Sequence, residues 1–199
     1  MNEFNLNTSQ KDVISTIYYV VDMLGALTGG TFADNYGRKN IFINTCLLTG
    51  FMGLISFLIY NYIFFLFVRF LFGFFIGVIS PLSVSIITEN FPTDLWGRIF
   101  ILCCIGKMIG EFFTASLSAL FFDKDFKHGN SRALLLIPVV PAIICFSLSL
   151  KFLIEPPRYF LAKKNIEQAE ECFKNILERN KTNYLLFNEP EKKDILNYY

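Results

Sequence analysis

Five apolar runs, each long enough to cross a bilayer, constrain this chain more than any other feature. A hydrocarbon core of about 30 Å needs roughly 20 mostly apolar residues in helical form. Runs of that length occur near 13–33, 41–60, 62–88, 98–122 and 133–154, with ends good to about 2–4 residues. Charged residues gather in short clusters between them. Of 199 residues 53% are hydrophobic and only 18% charged, against about 25% charged in ordinary globular domains. Mean hydropathy is +0.45. A chain of this kind aggregates in water, so the expectation is an all-α, polytopic integral membrane protein with the lipid bilayer as its solvent. Asn61 alone separates the second and third runs, which implies a tight hairpin.

Several function classes fall away on composition. The net charge of +1 supplies no polybasic field, so no nucleic acid partner is expected. Cys46, Cys103, Cys104, Cys145 and Cys172 fall mostly in apolar stretches without metal-ligand spacing, and His128 is the only histidine. No metal site, no cofactor and no catalytic residue is expected, and an enzyme reading finds no reactive pairing of His, Cys or Ser with Asp.

Glycine and proline occur inside the runs: Gly25 and Gly29, Gly73 and Gly77, Gly106 and Gly110, then Pro81, Pro138 and Pro141. Small residues four apart let membrane helices approach closely, with chance placement as the lesser alternative for any single pair. Lys and Arg counts set the orientation. One side receives Arg38, Lys39, Arg98, Lys151, Arg158, Lys163 and Lys164, and the other Lys11, Lys124, Lys127 and Arg132. The first side is therefore expected to be cytosolic, with the N-terminus outside. The expected organisation is a short extracytoplasmic tail (1–12), a transmembrane bundle (13–155), a cytosolic amphipathic helix (156–181) and a flexible linker (182–199). The helix shows one apolar stripe through Leu161, Ile166, Ala169, Phe173, Ile176 and Leu177. Of the sequons at Asn7 and Asn180, only the first lies on the outer side.

Between the first two runs stands Gly30-Thr31-Phe32-Ala33-Asp34-Asn35-Tyr36-Gly37-Arg38-Lys39. Gly30 is expected to allow close helix contact, Gly37 a tight turn, and Asp34 and Arg38 to place opposite charges at a helix end. The element resembles the G-x-x-x-D-x-x-G-R-K signature of the major facilitator superfamily at every defined position. Arg69-x3-Gly73-x3-Gly77, then Glu89-x2-Pro92 and Gly97-Arg98, is similar to the fourth helix and following loop of its sugar porter and organic cation transporter branches. Trp96 stands where those branches carry Arg, with Arg98 as the nearest cation. Glu155-Pro156-Pro157-Arg158-Tyr159-Phe160-Leu161 resembles their P-E-S-P-R-[YF]-L element, and the segment ending Ile176 to Asn180 resembles the synaptic vesicle glycoprotein two relatives as well.

The resemblance implies secondary transport of a small solute, a sugar or organic ion, by alternating access, with a proton or sodium as candidate coupling ion. It also implies that Gly30, Asp34, Gly37, Arg38, Lys39, Glu89, Gly97, Arg98, Glu155 and Arg158 form a cytosolic gate of ion pairs. On that alignment the first run matches the family's second helix. One helix before it and a second half after it are then expected from a longer chain or another polypeptide. The competing reading is a non-transporting membrane module, either a remnant or a partner of a complete transporter.

Four ionisable residues lie within runs rather than at their ends: Asp22, Arg69, Lys107 and Glu111. Each costs about 2.5–3.5 kcal/mol at mid-membrane, so pairing or cavity lining is expected. At 1.5 Å per residue they lie roughly 14, 10, 15 and 9 Å from the outer boundary, in one layer. They are read as a substrate or coupling site, or alternatively as two ion pairs that only fix helix packing. The position of Arg69 matches an Arg of proton-coupled sugar porters associated with an acidic group on the helix before the first run, a role that Asp22 or Glu111 is the nearest candidate to fill.

Overall fold

Lipid offers no partner to a bare N–H or C=O, so long apolar runs close their hydrogen bonds within helices. The computed structural model describes residues 8–90, 95–121, 135–163 and 165–179, and among these the regular elements are α-helices in sequence order. They are α1 (Thr8–Tyr36), α2 (Arg38–Leu58), α3 (Tyr62–Asn90), α4 (Trp96–Phe121), α5 (Val139–Phe152), α6 (Pro157–Ala162) and α7 (Ile166–Arg179). Most of the expected tail, the expected linker 182–199, and the loop holding Lys124, Lys127, His128 and Arg132 lie outside the described residues.

Four helices, α1 to α4, are long and apolar enough to cross a membrane. Among the described residues of the fifth expected span, 133–154, a turn at Ile137 and Pro138 separates helical Leu135 and Leu136 from a 14-residue helix that starts at Val139 and is about 21 Å long. Proline sets that start. Pro138 takes the N-cap position, and Pro141 falls in the first turn, where a missing N–H costs nothing because that N–H has no intrahelical acceptor. The expected amphipathic helix over 156–181 is likewise two helices. Lys163 closes α6 as its C-cap, and the Asn165 side chain accepts the Gln168 N–H at 3.3 Å to open α7. In α7, Ala169 of that stripe is buried, as is Cys172 outside it, whereas Ile166 is 60% exposed.

The turn between α1 and α2 is tighter than the spans implied. Gly37 alone breaks the helix, at φ 97°, a backbone region that costs other residues a steric penalty. Its N–H still donates to the Ala33 carbonyl at 2.9 Å, and its own carbonyl accepts the Ile41 N–H at 3.1 Å. At the opposite end, the Asn61 side chain accepts the Ile63 N–H at 2.9 Å and so caps α3.

Helix packing follows the glycines. Gly25 and Gly29 on α1 lie against Phe74, Gly77 and Val78 of α3, while Gly73 and Gly77 lie against Tyr18 and Asp22 of α1. Gly30 has open space around it instead of the expected neighbour, because a helix turns about 100° per residue and Gly29 already holds the α3-facing position. On α2, Gly50 and Gly53 meet Ala142, Ile143 and Val139 of α5. A small apolar core of Ala33, Val78, Leu82 and Ile86, flanked by Ile41, Phe42 and Leu153, fills the Gly37 end. Facing outward are Ile63, Phe64, Phe67 and Phe112, each at least 59% exposed, an apolar surface suited to lipid tails and not to water.

A methyl group at Gly77 collides with the Asp22 carbonyl, which is backbone and cannot swing away. Gly77→Ala is expected to cost about 1–3 kcal/mol by forcing α1 from α3. Gly106→Ala on α4, with nothing within 4 Å, is expected to leave stability unchanged or slightly raised. Thermal unfolding of both variants in detergent checks the contrast.

Candidate functional site

The Gly37 end collects charge because α1 ends and α2 begins there within two residues. Asp34 lies in the last turn of α1 and Arg38 opens α2. The Arg38 guanidinium donates to Asp34 Oδ1 at 3.1 Å and to the Ser85 hydroxyl at 2.6 Å, and it forms an ion pair with Glu89 at the far end of α3. The two pairs differ in setting. Asp34 is 66% exposed, whereas Glu89 is 11% exposed and Arg38 19%. An exposed pair of this kind contributes about 0.2–1 kcal/mol. Loss of one member of the shielded pair leaves the other without its counter-charge, which costs far more. The second carboxylate oxygen of Glu89 is buried with no hydrogen-bond partner among the described residues.

Glu155 enters the same cluster by another route. The chain leaves α5 at Leu153 in extended form, and Pro156 and Pro157 are both fully buried. Glu155 thereby reaches the start of α2, where its carboxylate accepts the backbone N–H groups of Arg38 at 2.5 Å and Lys39 at 3.0 Å. Those are amides that a helix leaves without intrahelical acceptors, at the positive end of its dipole. Burial pushes the Glu155 carboxyl above the ordinary glutamate range, against the pull of the two N–H bonds and of the Lys39 and Arg38 charges. The Cys172 thiol of α7 donates to the Glu155 carbonyl at 2.9 Å and ties that helix to the extended segment between α5 and α6. Burial raises this thiol to about 11, so it stays protonated and serves as a donor.

Sequence reasoning missed part of this cluster. The Lys163 ammonium donates to the Asn35 carbonyl at 2.9 Å and to the Tyr159 hydroxyl at 2.6 Å, and the Tyr159 hydroxyl itself lies 3.4 Å from the Asn35 carbonyl. Backbone acceptors carry no residue signature, and only the four-residue spacing of Tyr159 and Lys163 hints that they share a face. Ser85 was missed too. Of the other expected gate residues, Gly97 and Arg98 open α4 as exposed positions, and among the described residues Arg98 has no ion pair. The Arg158 side chain lies outside the described residues.

Within the span region, Arg69, Lys107 and Glu111 line one cavity of about 1230 Å³ between α3, α4 and α5, with Gly110, Thr114 and Pro141. Lys107 and Glu111 are one turn apart, their charged atoms 4.0 Å from each other and both largely exposed. Arg69 lies over the Phe65 and Phe72 rings at 5.1 and 5.3 Å, an attraction of the cation to the ring faces. Neither Asp22 nor Glu111 forms an ion pair with it. Asp22 is not among the cavity-lining residues; its helix position sets its carbonyl against Gly77 in the α1–α3 seam. The expected layer of four charges is thus a cavity with three. Among the described residues no group of three or more His, Cys, Asp or Glu could hold a metal.

The raised Glu155 carboxyl fixes the sign of a pH effect. Between the ordinary glutamate value and the raised one, the folded state binds more proton than the unfolded state, so stability falls as pH rises through that window. Glu155→Gln is expected to flatten this part of the profile. Unfolding temperature measured against pH in detergent provides the check, and a parental profile that climbs with pH through the window contradicts the assignment.

A model of the "Sugar (and other) transporter" family matches residues 2–195. The chain is 28% identical over 187 residues to human synaptic vesicle glycoprotein 2C, covering 90% of this chain and 25% of that protein. It is 27% identical to organic cation/carnitine transporter 7 of Arabidopsis thaliana, covering 90% and 35%, and 28% identical to myo-inositol transporter 2 of Schizosaccharomyces pombe, covering 86% and 30%. It therefore spans between a quarter and about a third of the length of these curated relatives. Its fold is similar to that of the proton:xylose symporter XylE bound to 6-bromo-6-deoxy-D-glucose, with TM-score 0.73 at 18% identity over 98% of this chain and 44% of that one. The partially occluded inward-open form of the Escherichia coli xylose transporter gives TM-score 0.76 at 16% identity, over 98% and 50%. The chain is an integral, multi-pass membrane protein with the major facilitator fold, and it belongs to the sugar (and other) transporter family.

Proposed function

We propose that this chain forms part of a secondary transporter that moves a small solute, a sugar or an organic ion, across a membrane by alternating access. One observation carries the reading. The single Arg38 guanidinium is shared by Asp34 of α1 and by Ser85 and Glu89 of α3, while its own amide is held by Glu155 from beyond α5. Three parts of the bundle are therefore held at one point by polar contacts that water can replace as they separate, which is what a gate at a membrane surface requires. The names of the relatives, which include transporters of organic cation/carnitine, myo-inositol and xylose, support the solute class.

In this reading Asp34, Gly37, Arg38, Lys39, Glu89 and Glu155 form the cytosolic gate, with Gly30, Gly97, Arg98 and Arg158 as its sequence context. The cavity lined by Arg69, Lys107 and Glu111 holds the solute or the coupling ion, a proton or sodium. Arg69 carries charge into a mostly apolar wall, where a charge is retained at a cost only if something exploits it.

The test is uptake in proteoliposomes made from the protein in its native assembly, with labelled xylose, myo-inositol and carnitine as probes. Arg69→Ala is expected to reduce uptake of the transported probe at least tenfold while the unfolding temperature stays near parental. Undiminished uptake by Arg69→Ala removes the cavity from the mechanism. Failure of the parent to move any probe favours the non-transporting module.

A further inference from the structure

The strap that follows α5 meets the Gly37 turn from both sides, with opposite charge on each. A helix leaves its last carbonyls without partners and carries partial negative charge there, with the reverse at its start. Glu155 sits on the first amides of α2. Eight residues later, Lys163 sits on the Asn35 carbonyl at the end of α1, 2.9 Å away. Its ammonium is also 4.6 Å from the centroid of the Tyr159 ring and hydrogen-bonded to the Tyr159 hydroxyl, so the long side chain is steered toward α1. Because its own N–H bonds the Tyr159 carbonyl as the C-cap of α6, the backbone that carries it is fixed too.

We propose that Lys163 is a positioning residue of the gate: by capping the carboxyl end of α1 it holds the turn in which Asp34 meets Arg38. This rests on the reading of the Arg38 cluster as a gate. The cation and the anion of the strap each match the dipole end they touch, so both favour the same docked arrangement. Undocking of α6 exposes the Asn35 carbonyl and the Arg38 amide together, which makes the turn and the strap a single unit. Removal of Lys163 therefore loosens the turn without touching Asp34, Arg38 or Glu89.

Hydrogen–deuterium exchange of the full chain in lipid nanodiscs tests this. Lys163→Gln is expected to raise amide exchange across residues 34–39 about two- to fivefold, the range for one charge at a helix end, with the unfolding temperature lowered by no more than about 4 °C. Lys163→Arg, which keeps a cationic donor, is expected to restore parental exchange. Parental exchange in Lys163→Gln, failure of arginine to restore it, or an increase spread evenly over the helices would each overturn the proposal. All three outcomes leave the uptake experiment with Arg69→Ala untouched, so a failure here is distinguishable from a failure of the transporter reading.

Discussion

One guanidinium holds the Gly37 end of this bundle together. Asp34, Glu89 and Glu155 arrive from three separate stretches of chain, and three carboxylates on a shared apolar floor repel one another unless positive charge intervenes. Arg38 answers two of them with its side chain, and the amide end of α2 answers the third. The geometry uses the planarity of arginine: one nitrogen faces α1 and the other faces α3, a division that a lysine ammonium cannot reproduce with fixed directions. The contacts are also graded. Asp34 is open to water and weakly held, Glu89 is shielded, and Glu155 is fixed by backbone donors, so the cluster can loosen at its wet edge before its shielded pair breaks.

That cluster keeps its geometry because the helices beneath it cannot slide. Gly25 and Gly29 face the backbone of α3, and Gly73 and Gly77 face the backbone of α1, so the two helices approach to main-chain contact along several turns. In lipid there is little hydrophobic gain from hiding one apolar side chain against another, and close van der Waals contact supplies the adhesion instead. Asp34 and Glu89 consequently ride on one rigid pair. By contrast α4 buries none of its membrane-length window, and it carries Lys107 and Glu111 on a cavity wall rather than in a seam.

The fold was legible where it depends on composition and period. Lengths of apolar sequence located α1 to α4, and the single asparagine at position 61 marked the hairpin, because both follow from the cost of placing polar backbone in lipid. Local chemistry blurred the rest. Pro138 shortened the fifth helix, and Lys163 with Asn165 split the amphipathic one, since caps compete with continued helix over a few residues only. Within the site, Asp34, Arg38, Glu89 and Glu155 were legible as charges between apolar runs. Their partners were less so: Glu155 meets amides instead of a side chain, Lys163 meets a carbonyl, and Asp22 meets Gly77 through its backbone, a contact that carries no signature of its side chain.

The two charged regions are joined by α3, and that limits how they can communicate. From Arg69 to Glu89 the helix runs twenty residues, about 30 Å, so no side-chain contact between these two residues bridges the cavity and the Arg38 cluster. Between them lies Pro81, which removes one backbone hydrogen bond from the ladder and makes this the most easily bent stretch of the helix. Gly73 and Gly77 bind the cavity-side half of α3 to α1, while Val78, Leu82 and Ile86 bind the other half to the core under Arg38. Along α3, a change of charge in the cavity can reach the Arg38 cluster as a movement of α3 with α1, either as a tilt of the whole pair or as a bend at Pro81. The glycine contacts on one side of that proline resist separation of the pair and leave the bend as the softer coordinate.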